Sequence, residues 1–261
     1  MLAGVLGWPV GHSRSPAMQN AALRELGLDW RYLPLPVSSE LFDPTVRALP
    51  ASGYAGANVT VPHKLAAHAL CDELTDPARA IGAVNTLVFR AGRIEGDNTD
   101  APGLLDAIGE PVAGGRCLVL GSGGAGRAAA WALSEAGGEV AVWNRTPERA
   151  AALAAELGVR HARRAEPADV LVNSTSVGLE PGGAEQEVLA ALGLTGLEPP
   201  PLVVDLVYRN EPTALVRWAE RAGSRAIDGV EVLVRQGARS LAIWTGEAPP
   251  LEVMKEAARH G

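Results

Sequence analysis

Short apolar runs alternate with amphipathic stretches along the chain, and the alternation is regular enough to predict an element order. Residues 2–8 form an apolar run closed by Gly7, Pro9 and Gly11, which reads as a first strand. Residues 16–26 follow with helical spacing, proline at the first position and Ser15 just before it. A strand over 30–37 and a helix over 39–49 come next. In the strand that begins at Gly56, alternation turns Asn58 and Thr60 to one face and Val59 and Val61 toward the core. Pro62 ends that strand and a helix begins near His63, which is read as a partly buried helix-start residue without a role. A helical stretch over 76–82 leads to a hairpin, 83–89 with 93–96, turning at Ala91-Gly92. The polar loop Asp97-Asn98-Thr99-Asp100 then precedes a helix over 102–108.

Beyond residue 116 the pattern repeats as strand and helix. Strands are predicted over 117–120, 139–143, 168–173 and 202–207, and helices over 125–136, 147–157 and 211–222. The segment 179–201, rich in glycine and proline, reads as a mobile or irregular connection. A long helix from Gly229 to about Trp244 carries Gly229, Leu233 and Gln236 on one face, and a last helix begins near Leu251. Such an order predicts an α/β protein with parallel sheet.

Composition narrows the function. The 261 residues suffice for one large or two modest domains, and 47% hydrophobic with 20% charged residues is globular. A net charge of -7 argues against nucleic acid as a partner. Two cysteines, Cys71 and Cys117, in apolar surroundings suggest a reducing compartment and no metal cluster. The apolar N-terminus lacks a basic leader, and no apolar run approaches the roughly 18 residues needed to span a bilayer. The expectation is a cytoplasmic protein without a membrane partner.

Three stretches carry candidate chemistry. Gly121, Gly123 and Gly126 stand at G-x-G-x-x-G spacing between a strand and a helix, where the turn Gly121-Ser122-Gly123-Gly124-Ala125 would cradle a pyrophosphate. After the next strand, where an NAD-binding chain would place a carboxylate, stand Asn144-Arg145-Thr146, with Arg149 one turn on. Cations there favour the extra phosphate of NADP; the alternative is a pair of surface arginines. Ser13 and Ser15, two apart beside a helix N-terminus, can face one small carboxylate, or Ser15 merely caps the helix and Ser13 is solvated. The 23 basic residues comprise 21 arginines and only Lys64 and Lys255. A lysine kept in such a chain suits a task that needs a compact, titratable amine, although Lys255 has no evident one. Lys64 lies just past the Asn58 and Thr60 face, and Asp100, at a helix start, is placed to meet it.

Taken together, Ser13-Arg14-Ser15-Pro16, Asn58-Val59-Thr60-Val61-Pro62-His63-Lys64, Gly82-Ala83-Val84-Asn85-Thr86, Asp97-Asn98-Thr99-Asp100, the glycine turn, Asn144-Arg145-Thr146 and the run 229–236 resemble the shikimate dehydrogenases from end to end. The resemblance implies an N-terminal α/β substrate domain with a mostly parallel sheet (1–101 plus 237–261), a Rossmann NADP domain (102–236), and C-terminal helices packing back on the first. It implies reversible reduction of 3-dehydroshikimate to shikimate with NADPH, on the route to chorismate and the aromatic amino acids, with Lys64 and Asp100 as the catalytic pair. It places Ser13 and Ser15 at the substrate carboxylate, Asn58, Thr60, Asn85, Asp100 and Gln236 at ring hydroxyls, and Tyr208 near the substrate. Cofactor contacts carry over to Gly121, Ser122, Gly123, Gly124, Ala125, Asn144, Arg145, Thr146, Arg149, Leu206, Gly229 and Asp76. A homodimer is compatible with it. Quinate as substrate, and a non-catalytic NADP sensor on the same fold, are the competing readings.

Overall fold

The computed structural model describes residues 1–180 and 182–260. Contacts divide the chain into two units, Met1–Gly103 with the residues from Val234 onward, and Leu104–Leu233. The first unit begins with β1 (Leu2–Gly7), α1 (Ser15–Glu25), β2 (Arg31–Pro36), α2 (Phe42–Ala48), β3 (Tyr54–Val59) and α3 (Lys64–Leu70). It continues through β4 (Glu73–Leu74), α4 (Asp76–Ile81), β5 (Thr86–Arg90) and β6 (Arg93–Asp97) to the start of α5 (Asp100–Ile108). The sheet runs β2-β1-β3-β5-β6-β4. β1 lies parallel to β2 and β3, whereas β5 joins β3 antiparallel and pairs with β6 as a hairpin. Ala91 (φ 49°) and Gly92 (φ 77°) form that hairpin's turn, since two positive φ values match the twist of the flanking strands. One face of this sheet buries Leu6, Ala57, Val59 and Leu87 against Phe42, Val46 and Ala67.

The second unit holds β7 (Arg116–Leu120), α6 (Gly124–Glu135), β8 (Glu139–Trp143), α7 (Pro147–Leu157), β9 (Arg160–His161) and β10 (Val170–Asn173). After them come α8 (Glu185–Ala191), β11 (Leu202–Asp205), α9 (Ala214–Arg221) and β12 (Arg225–Ile227). Its strands pair in parallel throughout, in the order β12-β11-β10-β7-β8-β9. Renumbered within the unit, that is the doubly wound order in which direction reverses between the first strand, β7, and the fourth, β10. Strands such as Leu118-Val119-Leu120 and Val170-Leu171-Val172 are apolar on both faces because two helical layers cover them. The division between units falls inside α5 and inside α10 (Gly229–Thr245). The last helix, α11 (Leu251–His260), packs on α1, where the Arg14 guanidinium donates to the Ala258 carbonyl at 3.0 Å.

Several expectations are corrected. β3 stops at Val59 rather than running through Val61: the chain turns, His63 N–H bonds the Thr60 carbonyl, and Val61 is 68% exposed instead of buried. Ser15 is the first helical residue and makes no side-chain cap. The hairpin starts at Thr86, because Asn85 turns its side chain into a polar cluster. Segment 179–201 is no mere connection, since α8 lies in it; Pro181 falls outside the described residues. The run over 202–207 ends as strand at Asp205, and α9 begins only at Ala214, capped by the Thr213 hydroxyl. β4, β9 and β12, two or three residues each, are too short to show a period. His63 is fully buried, its Nε2 2.7 Å from the Val37 carbonyl and its ring stacked on Phe42.

Candidate functional site

In the first unit, residues from four elements meet around one ion pair. Lys64 opens α3 immediately after the turn at Pro62, and Asp100 opens α5 after the β6 loop. Lys64 Nζ stands 2.6 Å from Asp100 Oδ2, with side chains 12% and 18% exposed. The pair is sheltered, yet each end keeps a face for a ligand. Asp100 is set by its surroundings: its backbone N–H bonds Asn98 Oδ1 at 3.1 Å, the α5 dipole favours its charge, and Asn85 Nδ2 donates to its Oδ1 at 2.8 Å. Asn85 is itself pinned, accepting from Thr99 N–H at 2.7 Å and reaching Gln236 Oε1 of α10 at 3.2 Å.

Behind this row lies a second, fully buried one. The Ser240 hydroxyl, one turn beyond Gln236, sits 2.9 Å from Thr86 Oγ1 and 3.1 Å from Thr99 Oγ1, and accepts from Asn58 Nδ2 at 2.9 Å. Asn58 Oδ1 accepts from the Tyr32 hydroxyl at 2.8 Å. Asn58 is therefore turned inward, its amide satisfied by protein, and is only 6% exposed. Thr60 is half-buried beyond the end of β3, and Ser13 Oγ, also half-buried, accepts from Ser15 N–H at 3.3 Å. Sequence reading missed Tyr32, Thr86, Thr99 and Ser240. For Ser240 a signal was present: it lies four residues past Gln236, on the same helical face.

In the second unit the glycine turn lies at the reversal of strand order, where open α/β sheets bind ligands. Gly121 has φ 108°, and a Cβ on it would stand 2.5 Å from Ser174 Oγ. A Cβ on Gly126 would come within 2.3 Å of the Gly121 carbonyl, so the turn and α6 can approach only as glycines. Gly123, by contrast, faces open space within 4 Å. Beyond β8, Asn144 Nδ2 bonds the Thr146 carbonyl at 3.0 Å and closes a turn that leaves Arg145 and Arg149 exposed. Among the described residues neither arginine pairs with a carboxylate. This cradle of glycines, helix N-terminus and uncompensated cations fits a dinucleotide bearing an extra phosphate. Leu206 and Gly229 also meet, since a Cβ on Gly229 would stand 2.6 Å from the Leu206 carbonyl. Tyr208 is half-buried two residues on. Asp76 starts α4 in the first unit, 96% exposed and paired with Arg79.

Three family models match the chain: the shikimate dehydrogenase substrate binding domain over residues 5–87, shikimate/quinate 5-dehydrogenase over 104–206, and the shikimate 5′-dehydrogenase C-terminal domain over 229–259. The shikimate dehydrogenase (NADP(+)) of Thermus thermophilus is 46% identical over 266 residues, spanning 98% of this chain and 96% of its own. A crystal structure of the Thermus thermophilus enzyme in complex with NADP(H) and shikimate superposes with a TM-score of 0.88 at 43% identity, covering 100% of this chain and 99% of that one. A ligand-free 5-ketofructose reductase of Gluconobacter superposes with a TM-score of 0.85 at 30% identity, covering 100% and 98%.

Proposed function

The chain belongs to the shikimate dehydrogenase family, and we propose that it interconverts 3-dehydroshikimate and shikimate, with NADP as hydride carrier, through the polar cluster of its first unit. The step lies on the route to chorismate and the aromatic amino acids. The observation that carries the catalytic assignment is the 2.6 Å contact between Lys64 and Asp100, two groups 36 residues apart that Asn85 and Asn98 hold in place.

Lys64 handles the proton. In the reducing direction its ammonium donates to the ketone oxygen as that oxygen gains negative charge, and in the oxidising direction the amine accepts the hydroxyl proton. Asp100 orients the amine and offers its other lone pairs to a ring hydroxyl. Asn85, Gln236 and Thr60 present further polar atoms for ring hydroxyls, and Ser13 with Ser15 holds the substrate carboxylate. Asn58, satisfied internally, serves the site by fixing Thr86 and Ser240 rather than by touching substrate. In the second unit Gly121, Ser122, Gly123, Gly124 and Ala125 hold the pyrophosphate, Asn144 and Thr146 shape the turn at the ribose, and Arg145 with Arg149 takes the 2′-phosphate. Bound there, NADP accepts or supplies the hydride. Cys71 and Cys117 are both free thiols, which fits the reducing cytoplasm.

A four-way assay tests the reading: shikimate or quinate, each with NADP+ or NAD+, followed by absorbance of the reduced nicotinamide. Shikimate with NADP+ is expected to turn over fastest. Faster turnover of quinate would redirect the substrate, and no turnover with any pair would support a binding protein instead.

A further inference from the structure

One buried carboxylate of the second unit has no part in the chemistry above. Asp205 ends β11, is 0% exposed, and among the described residues has no basic partner. Neutral donors alone surround it. Oδ1 accepts from Asn173 Nδ2 at 2.9 Å and from Val207 N–H at 3.1 Å, and Oδ2 accepts from the Thr213 hydroxyl at 2.5 Å. Burying a charge on these terms is costly, and the cost is visible: desolvation, opposed by those hydrogen bonds and reinforced by the nearby charge of Asp228, pushes the carboxyl from its ordinary 3.8 up to about 6. A group kept at such a cost beside a ligand cradle is a candidate for function.

What the carboxylate holds is the wall of the glycine turn. Asn173, pinned by Asp205, accepts through Oδ1 from Thr175 N–H at 3.0 Å and from the Thr175 hydroxyl at 2.7 Å, which fixes the loop after β10. In that loop Ser174 donates to the Leu120 carbonyl at 2.7 Å, and its Oγ is the atom that comes closest to a Cβ placed on Gly121. On its other side Asp205 sets Val207, and so the Leu206 carbonyl that abuts Gly229. We propose that Asp205 is a positioning residue of the NADP site, its Oδ1 locking the loops after β10 and β11 in one register against the glycine turn. The inference rests on the second unit binding NADP, as proposed above.

The test compares Asp205→Ala, Asp205→Asn and Thr175→Val with wild type, measuring NADP+ affinity by calorimetry, shikimate KM at saturating NADP+, and the melting midpoint. Asp205→Ala removes the shared acceptor from two buried donors and should weaken NADP+ about 10-fold or more, with shikimate KM within about 2-fold. Asp205→Asn keeps an acceptor at Oδ1 and should stay within about 3-fold of wild type, a rescue that a role for the negative charge itself would not give. Thr175→Val, which takes the Thr175 hydroxyl away from Asn173 Oδ1 and from the Val177 N–H, should weaken NADP+ by about 3-fold or more with shikimate KM within about 2-fold. Should Asp205→Ala fail to fold, Thr175→Val decides: unchanged NADP+ affinity overturns the proposal. It is overturned as well if folded Asp205→Ala binds NADP+ as wild type does, loses both ligands equally, or is no worse than Asp205→Asn. A wild type that does not bind NADP+ would overturn the functional reading itself, and this inference with it.

Discussion

Lys64 and Arg145 show opposite kinds of placement. Lys64 is sheltered and paired at 2.6 Å, so its amine has one position, whereas Arg145 is exposed with no carboxylate partner among the described residues. An unpaired guanidinium at the end of β8 attracts a phosphate and has nothing to offer two ribose hydroxyls that a carboxylate would bind better. Arg145→Ala should therefore raise the KM for NADP+ by about 10-fold or more and leave that for NAD+ within about 2-fold, as read by steady-state kinetics with each cofactor. Equal losses would detach Arg145 from the 2′-phosphate. Residues of this kind were legible in the sequence because their neighbours along the chain explain them: a glycine triplet before a helix, a lysine in an arginine-rich chain. Asn58 was legible as a position but not in its orientation. Which way its amide points is decided by Tyr32 and by Ser240, 182 residues downstream, and no local pattern carries that.

Among the elements, those with a full period were readable and those at the sheet edges were not. The predicted range of β8 and that of α7 coincide with the observed ones, since apolar alternation, Gly137-Gly138 and Pro147 mark their ends. β9 and β12 are held by pairing with a neighbouring strand rather than by their own two or three residues. The end of β11 escaped notice for a related reason: an aspartate among valines reads as part of an apolar run until Asn173, Val207 and Thr213 converge on it. That convergence has a pH signature. Asp205 titrates near 6 in the folded chain and near 3.8 when unfolded, so between those values the native state holds a proton that the unfolded state has released. Its contribution to stability therefore rises as pH falls from about 7.5 to about 4.5, and Asp205→Asn lacks it. The stability of Asp205→Asn relative to wild type, from denaturant unfolding, should fall across that window by an amount on the order of 1–3 kcal/mol. Asp169, held near 2 chiefly by its hydrogen bond from the exposed Arg116, loses its contribution only below this range. A difference independent of pH would contradict the buried charge.

At the scale of the whole chain, two α/β units divide the labour: the first gathers Lys64, Asp100, Asn85 and Gln236, and the second carries the glycine turn. The alternation of strand and helix made this architecture legible, and motif order made the family legible. Neither could show that Thr86, Thr99 and Ser240 back the first cluster, because those contacts join β5, the β6 loop and α10 across more than a hundred residues. The account requires that binding be distributed over both units while proton transfer depends on one amine. Lys64→Ala tests this most directly, with kcat, shikimate KM and NADP+ affinity measured on the same preparation. Turnover should fall by roughly 100-fold to 10,000-fold while NADP+ affinity is unchanged and shikimate KM shifts only modestly. Near-normal turnover in that variant would remove Lys64 from the reaction and contradict the account.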